Sequence, residues 1–68
     1  MRGFRAWVGR DVVVSTDSMD VKGRLIDVRG EIVVFRDASS VDRSGSTPVD
    51  GLLLVPAGRI VYVQVVEP

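Results

Sequence analysis

The chain has 68 residues, nine basic and nine acidic side chains that give a formal net charge of zero, and neither cysteine nor histidine. This length supports one domain with a small core, for which association with other chains is a common source of stability. Without cysteine and histidine there are no disulfides, no thiolate metal sites and none of the commonest general bases. The balanced charge argues against a dedicated nucleic-acid-binding protein, and no apolar run reaches the about 20 residues of a membrane span.

Residues 1–8 form the first predicted element, a short helix or an extended arm. Phe4, Trp7 and Val8 have the i, i+3, i+4 spacing that places side chains on one face of a helix. One or two helical turns are not stable alone. We therefore expect this segment to lie as a lid over an open end of the domain.

Three strands are predicted next, over residues 10–16, 20–28 and 31–38. Gly23 inside the second strand predicts a bend or a close approach of another backbone. Residues 29–30 predict a tight hairpin turn, in which the glycine supplies a positive φ.

Residues 39–49 are rich in serine, aspartate, glycine and proline and are predicted to form a surface loop. Strands over residues 50–56 and 60–66 follow, separated by a turn because proline cannot donate a ladder hydrogen bond. Five strands at intervals of about 8–12 residues predict an all-β fold, a five-stranded antiparallel barrel that forms a single domain over residues 1–68. The predicted core consists of Val12, Val14, Leu25, Ile32, Val34, Leu52, Leu54, Ile60 and Val63.

The last two strands are apolar on both faces, and one small core can bury only one face of each strand. An exposed apolar strand is a template for pairing with another chain, and a contiguous apolar patch marks a contact site. We therefore predict contact with further copies of the chain or with a larger protein assembly. The predicted interface residues are Leu53, Val55, Val61, Tyr62 and Val65.

Segments 7–14 and 21–25 resemble the first signature of Sm-like proteins, in which a short helix leads into a strand and the pattern V-x-G-x-L follows. Segment 51–65 resembles their second signature, a strand, a short interruption and a strand of the type I-V-Y-V. The resemblance implies an SH3-like barrel of the Sm type, in which the fourth strand of one subunit pairs with the fifth strand of the next to close a ring. Segment 54–60 also resembles the PRC-type barrels.

The RNA pocket that this resemblance implies is matched only in part. Sm-like proteins hold a base with an aspartate and a Met-Asn pair in the hairpin between strands two and three, and with a later Arg-Gly or Lys-His pair. Here Asp27 matches the aspartate, and residues 56–57 are Pro-Ala where the second pair stands. We therefore expect weak and unspecific RNA binding and rank protein partners above nucleic acid. The candidates for contact with nucleic acid or an acidic partner are Arg2, Arg5 and Arg10, and the alternative for these three is a solvated N-terminal face.

The sequence offers no support for enzymatic chemistry, because its seven aspartates are scattered singly at turns and strand ends. No enzyme activity, cofactor, metal, membrane contact or small-molecule substrate is predicted. Lys22 is the only lysine, a bias typical of GC-rich genomes, and a short barrel from such a source resembles small structural proteins of actinobacterial viruses. The leading hypothesis is a non-enzymatic structural or interaction module, in the cytoplasm or in a phage virion as a capsid decoration or neck component. The alternative is an RNA-binding Sm-like ring protein.

Overall fold

A computed structural model describes residues 3–66 of the chain. It contains six strands and two short 3₁₀ helices, η1 and η2. In chain order these are η1 (Gly3–Trp7), β1 (Asp11–Thr16), β2 (Asp20–Arg29), β3 (Ile32–Asp42), β4 (Gly45–Pro48), β5 (Leu52–Pro56), η2 (Ala57–Arg59) and β6 (Ile60–Val65). The all-β fold with a short N-terminal helix is confirmed. The described part of the chain has one strand more than the five predicted.

All strand pairs are antiparallel, and the sheet has the order β4-β3-β2-β1-β6. The N-terminal half of β3 pairs with β5, and its C-terminal half pairs with β4 along the same edge. The strands β5 and β6 therefore stand at opposite ends of the sheet order, although only the three residues of η2 separate them in the chain.

Two register shifts bend the long β2–β3 hairpin. At the first, Gly23 stands opposite two residues of β3, and at the second, Ile26 is the extra residue of β2. A Cβ atom on Gly23 would lie only 3.1 Å from the Cα atom of Ala38. The predicted bend and close backbone approach at Gly23 are confirmed. The predicted hairpin turn is also present, with Gly30 at φ 57°.

The central apolar cluster contains residues from η1, η2 and every strand except β4 and β6. Val12, Val14 and Leu25 are fully buried, as predicted. Phe4 of η1 joins this cluster, whereas Trp7 is 39% exposed. Among residues 3–8, Phe4 is therefore the one side chain that is buried in the core. The cluster consists of Phe4, Val12, Val14, Val21, Leu25, Val28, Val33, Phe35, Ala38, Val55 and Ala57.

The prediction of which face of β5 points into the core is wrong. Leu53 pairs with Phe35 and Val55 pairs with Val33. Cross-strand partners lie on the same face of a sheet, and both β3 residues are fully buried. Leu53 and Val55 therefore point inward. Two residues predicted to be in the core point outward instead: Leu52 and Leu54.

The face of β3 is inverted in the same way. Val33 and Phe35 occupy the centre of the core, whereas Ile32 is only partly buried and Val34 is buried outside the central cluster. All four residues are apolar, so the alternation that distinguishes the two faces of a strand is absent here.

A register shift also changes the faces of β6. Ile60 and Val63 pack against the core, as predicted, and so does Val65, which was predicted to lie on the other face. The pairing with β1 skips Val61. This bulge turns Val61 outward, where it is 71% exposed.

Residues 39–49 form a hairpin instead of the predicted surface loop. They contain the end of β3 and all of β4, in which every residue is exposed. The Asp42 carboxylate accepts a hydrogen bond from the Ser44 N–H at 2.8 Å and so stabilises the turn. The Val49 N–H donates to the Ala38 carbonyl at 2.8 Å, which ties the end of the hairpin to β3.

Within residues 3–66 no helix has the length and apolar character that crossing a membrane requires.

Candidate interaction surfaces

The strands β5 and β6 each keep one backbone edge that no strand of residues 3–66 covers. β5 pairs only with β3, and β6 pairs only with β1. Because η2 joins the end of β5 to the start of β6, both open edges begin at one corner of the domain. Unpaired N–H and C=O groups along an apolar strand are a template for the addition of a strand from another chain.

Apolar side chains are concentrated on these two strands. Among residues 3–66, seven large hydrophobic side chains are exposed, and four of them belong to β5 and β6. They are Leu52 (52% exposed), Leu54 (59%), Val61 (71%) and Tyr62 (57%). We call these four residues the edge patch. Two of these side chains lie on each strand, and exposed apolar side chains beside an open strand edge are characteristic of a protein contact surface.

The edge patch includes two of the five predicted interface residues, Val61 and Tyr62. Leu53 and Val55 point into the core, and Val65 packs against it, so these three do not belong to the exposed surface. Leu52 and Leu54 were predicted to lie in the core, and their exposure follows from the pairing of β5 with β3. A role for the edge patch in binding another chain stays a prediction.

A shallow groove of about 230 Å³ with a mainly apolar lining lies between β5 and the turn that joins β1 to β2. Met19, Leu54 and Pro56 contribute its apolar lining. The turn is held in place by Thr16, whose Oγ1 donates to the Met19 carbonyl at 2.7 Å and accepts from the Met19 N–H at 3.1 Å. The open edge of β5 therefore borders a preformed apolar groove that can receive a side chain of another chain.

The turn between β2 and β3 lies directly beside η2. The Ala57 N–H donates to the Glu31 carbonyl at 2.8 Å, which joins the two segments. We call residues 29–31 and 57–59 together the loop tip. Its two arginines are exposed, with 82% of the Arg29 side chain and 67% of the Arg59 side chain accessible to solvent. The loop tip therefore presents two cationic side chains on backbone segments that support each other.

Each arginine of the loop tip has an acidic neighbour. Arg29 Nε donates to Asp27 Oδ2 at 3.0 Å, and Arg59 Nη1 lies 3.8 Å from Asp17 Oδ2. The hydrogen bond from Arg29 contributes most to holding the pKa of Asp27 below its ordinary value, followed by a 2.8 Å hydrogen bond from the Val28 N–H. Asp27 is therefore ionised at neutral pH and orients Arg29.

That Arg2, Arg5 and Arg10 contact nucleic acid or an acidic partner stays a prediction. Arg5 and Arg10 are exposed, and Arg2 lies outside the described residues. Within residues 3–66, no three acidic side chains cluster in a way that could hold a metal ion.

No family model matches the chain, and no curated protein matches it. Several solved structures do. A heptameric archaeal Sm protein superimposes with a TM-score of 0.80 at 18% identity, over 94% of this chain and 96% of that one. The SmAP1 heptamer of P. aerophilum gives 0.82 at 18% identity, over 96% and 89%. The Sm protein of Pyrococcus abyssii, in complex with a uridine heptamer, gives 0.79 at 18% identity, over 93% and 92%.

These similarities extend over nearly the full length of both chains. Sequence identity is low, so the likeness concerns the backbone. The Sm-like resemblance of the sequence is thereby confirmed at the level of three-dimensional structure: the chain has the Sm-like fold.

Proposed function

We propose that this protein is a non-enzymatic Sm-like ring protein, which assembles from copies of itself and binds single-stranded RNA. The observation that carries the proposal is the pair of open strand edges, on β5 and β6, flanked by the edge patch. The comparisons favour this alternative over the virion role, because similar structures are heptamers and one of them is a uridine complex.

Assembly follows from the position of the two edges. The open edge of β5 and the open edge of β6 are different surfaces, so pairing of one with the other joins copies head to tail. Head-to-tail contacts generate a ring when the rotation closes. Each contact would cover the edge patch, and the groove beside Leu54 offers space for a side chain of the neighbouring copy. The heptameric state of the similar structures supports a ring of seven copies.

The proposal of RNA binding is based on the loop tip and on its presence in every copy of the ring. One copy presents two exposed arginines there, each offset by an aspartate, so a single domain has little affinity for polyanions. A ring repeats the loop tip in every copy, and several weak contacts on one strand combine into a much stronger one. Because Pro56 and Ala57 replace the second base-holding pair, we expect contacts with phosphate groups to dominate and sequence preference to be low.

The assembly is tested by sedimentation velocity of the wild type, Val61→Lys and Thr47→Lys. We expect the wild type and Thr47→Lys to sediment as one multimer and Val61→Lys as a monomer, because lysine on β6 opposes burial of the edge patch. Thr47 is the control, since it is exposed on β4. Assembly of Val61→Lys would show that β6 is not the contact, and dissociation of Thr47→Lys would show that the effect of lysine is not specific to β6. Far-UV circular dichroism checks that each variant retains its strands.

RNA binding is tested by fluorescence anisotropy with a labelled uridine oligonucleotide at two salt concentrations. We expect the assembled wild type to bind at low salt and to lose affinity as salt rises, and the Val61→Lys monomer to bind more weakly at both. A wild-type ring that does not bind the oligonucleotide even at low salt would refute the RNA part of the proposal and leave the assembly part intact.

A further inference from the structure

The outer face of the sheet holds a second groove, of about 550 Å³, which none of the surfaces above includes. It crosses β1 to β4 where the first register shift bends β2 and β3. Its volume is within the range of about 300–1,000 Å³ that is typical of small-ligand sites. The polar and charged residues used in the following argument are Lys22, Arg24, Arg36, Ser39 and Ser46, all of which line the groove.

We propose that this groove binds a phosphate group. Its cations share one face because Lys22 and Arg24 are two residues apart on β2 and Arg36 is the direct cross-strand partner of Arg24. Like charges in directly opposed positions destabilise a sheet. An anion bound between the two guanidinium groups would offset this repulsion. Ligand binding would therefore stabilise the opposed pair of Arg24 and Arg36.

The cations are only partly neutralised by the protein. Arg24 Nε lies 3.2 Å from Asp11 Oδ1, and both side chains are 54% exposed, which makes the pair a weak one. Within residues 3–66, Lys22 and Arg36 have no carboxylate within 4.0 Å. Asp37 is the second carboxylate of the groove, so three cations face two acids in a chain whose net charge is zero.

The types of side chain favour phosphate over a carboxylate ligand. Two arginine forks can bind separate oxygens of one phosphate, and the lysine adds a point charge. The hydroxyl groups of Ser39 and Ser46 line the same groove and supply neutral donors for a third oxygen. The phosphate could belong to a free phosphate compound or to an RNA backbone, and the experiment separates these two sources.

The test follows backbone amide signals by NMR while inorganic phosphate is added to the wild-type protein, with chloride of equal ionic strength as reference. We expect saturable changes at residues 22–24 and 36–39. Arg36→Gln should lower phosphate affinity by about tenfold, the effect of losing one charge-assisted hydrogen bond. It should fold normally, because it removes one of two opposed arginines. Arg43→Gln, an exposed arginine in the β3–β4 turn, is the matched control and should bind as the wild type does.

The second arm compares the salt dependence of oligouridine binding for the same variants. If an RNA backbone is the source, Arg36→Gln should reduce the salt slope by about 1 relative to the wild type. Saturable phosphate binding with an unchanged slope assigns the groove to a free phosphate compound. The proposal is overturned if phosphate acts no differently from chloride and the slope is unchanged, or if Arg43→Gln behaves as Arg36→Gln does. The phosphate arm does not depend on the ring or on RNA binding at the loop tip.

Discussion

Truncating two leucines, Leu25→Ala and Leu54→Ala, tests the assignment of the core most sharply. Leu25 is fully buried, so its truncation should lower the free energy of unfolding by about 2–5 kcal/mol. This loss is a large part of the total free energy of unfolding, which is about 3–10 kcal/mol for a domain of this size. Leu54 is 59% exposed. Since full burial of a leucine is worth about 1.5–3 kcal/mol, truncating Leu54 should lower the stability of the single domain by about 1 kcal/mol or less.

The measurement is urea unfolding, followed by circular dichroism at several protein concentrations. Leu25→Ala should lower the midpoint at every concentration, because the loss lies within one domain. Leu54→Ala should lower it mainly at high concentration, where assembly adds to stability by mass action. An equal loss for both variants at the lowest concentration would mean that β5 turns its other face inward, and the register of β5 with β3 would then be wrong.

Gly23→Val should lower the free energy of unfolding by about 1–3 kcal/mol, because its Cβ atom would lie 3.1 Å from the Cα atom of Ala38 and the backbone of β3 would have to shift; an unchanged urea midpoint would contradict the close approach. Asp27 should titrate below its ordinary pKa of 3.8 in an NMR pH titration, because Arg29 stabilises its ionised form. Because the pKa of Asp27 is lower in the folded than in the unfolded state, its ionised carboxylate stabilises the fold at pH values above the unfolded-state pKa. This stabilisation is lost as the pH falls through the folded-state pKa. Asp27→Asn should therefore weaken the loss of stability in that acidic range, and an unaltered acid dependence would show that the pair with Arg29 does not form in solution.

Features that depend on local chemistry could be predicted from the sequence. The valine run of β1 is bounded by the polar residues Asp11 and Ser15, and the prediction that Val12 and Val14 share the core face is confirmed. Gly23 and Gly30 marked the bend and the hairpin turn because few other residues tolerate those backbone positions. The Sm-like strand order could be recognised for the same reason, since it depends on the spacing of strands and turns.

Features that depend on pairing between distant strands could not be predicted. Leu52 to Val55 is apolar throughout, so only its register with β3 decides that Leu53 points inward and Leu54 outward. The exposure of Val61 results from a bulge between β1 and β6, which leaves no mark in the sequence of β6. The groove that contains Lys22 and Arg36 was not predicted because two register shifts in the β2–β3 hairpin decide which of its residues are opposite one another.

The most direct test of the ring is the mass of the wild-type protein in solution, measured by light scattering coupled to size exclusion over a wide range of micromolar concentrations. A closed ring has a mass that is a fixed multiple of 7.4 kDa and does not change with concentration. We expect seven times the mass of one chain, as for a heptamer. Pairing of β5 with β6 without closure would give a mass that rises steadily with concentration. A constant mass of 7.4 kDa at high micromolar concentration would contradict self-assembly through the open edges of β5 and β6.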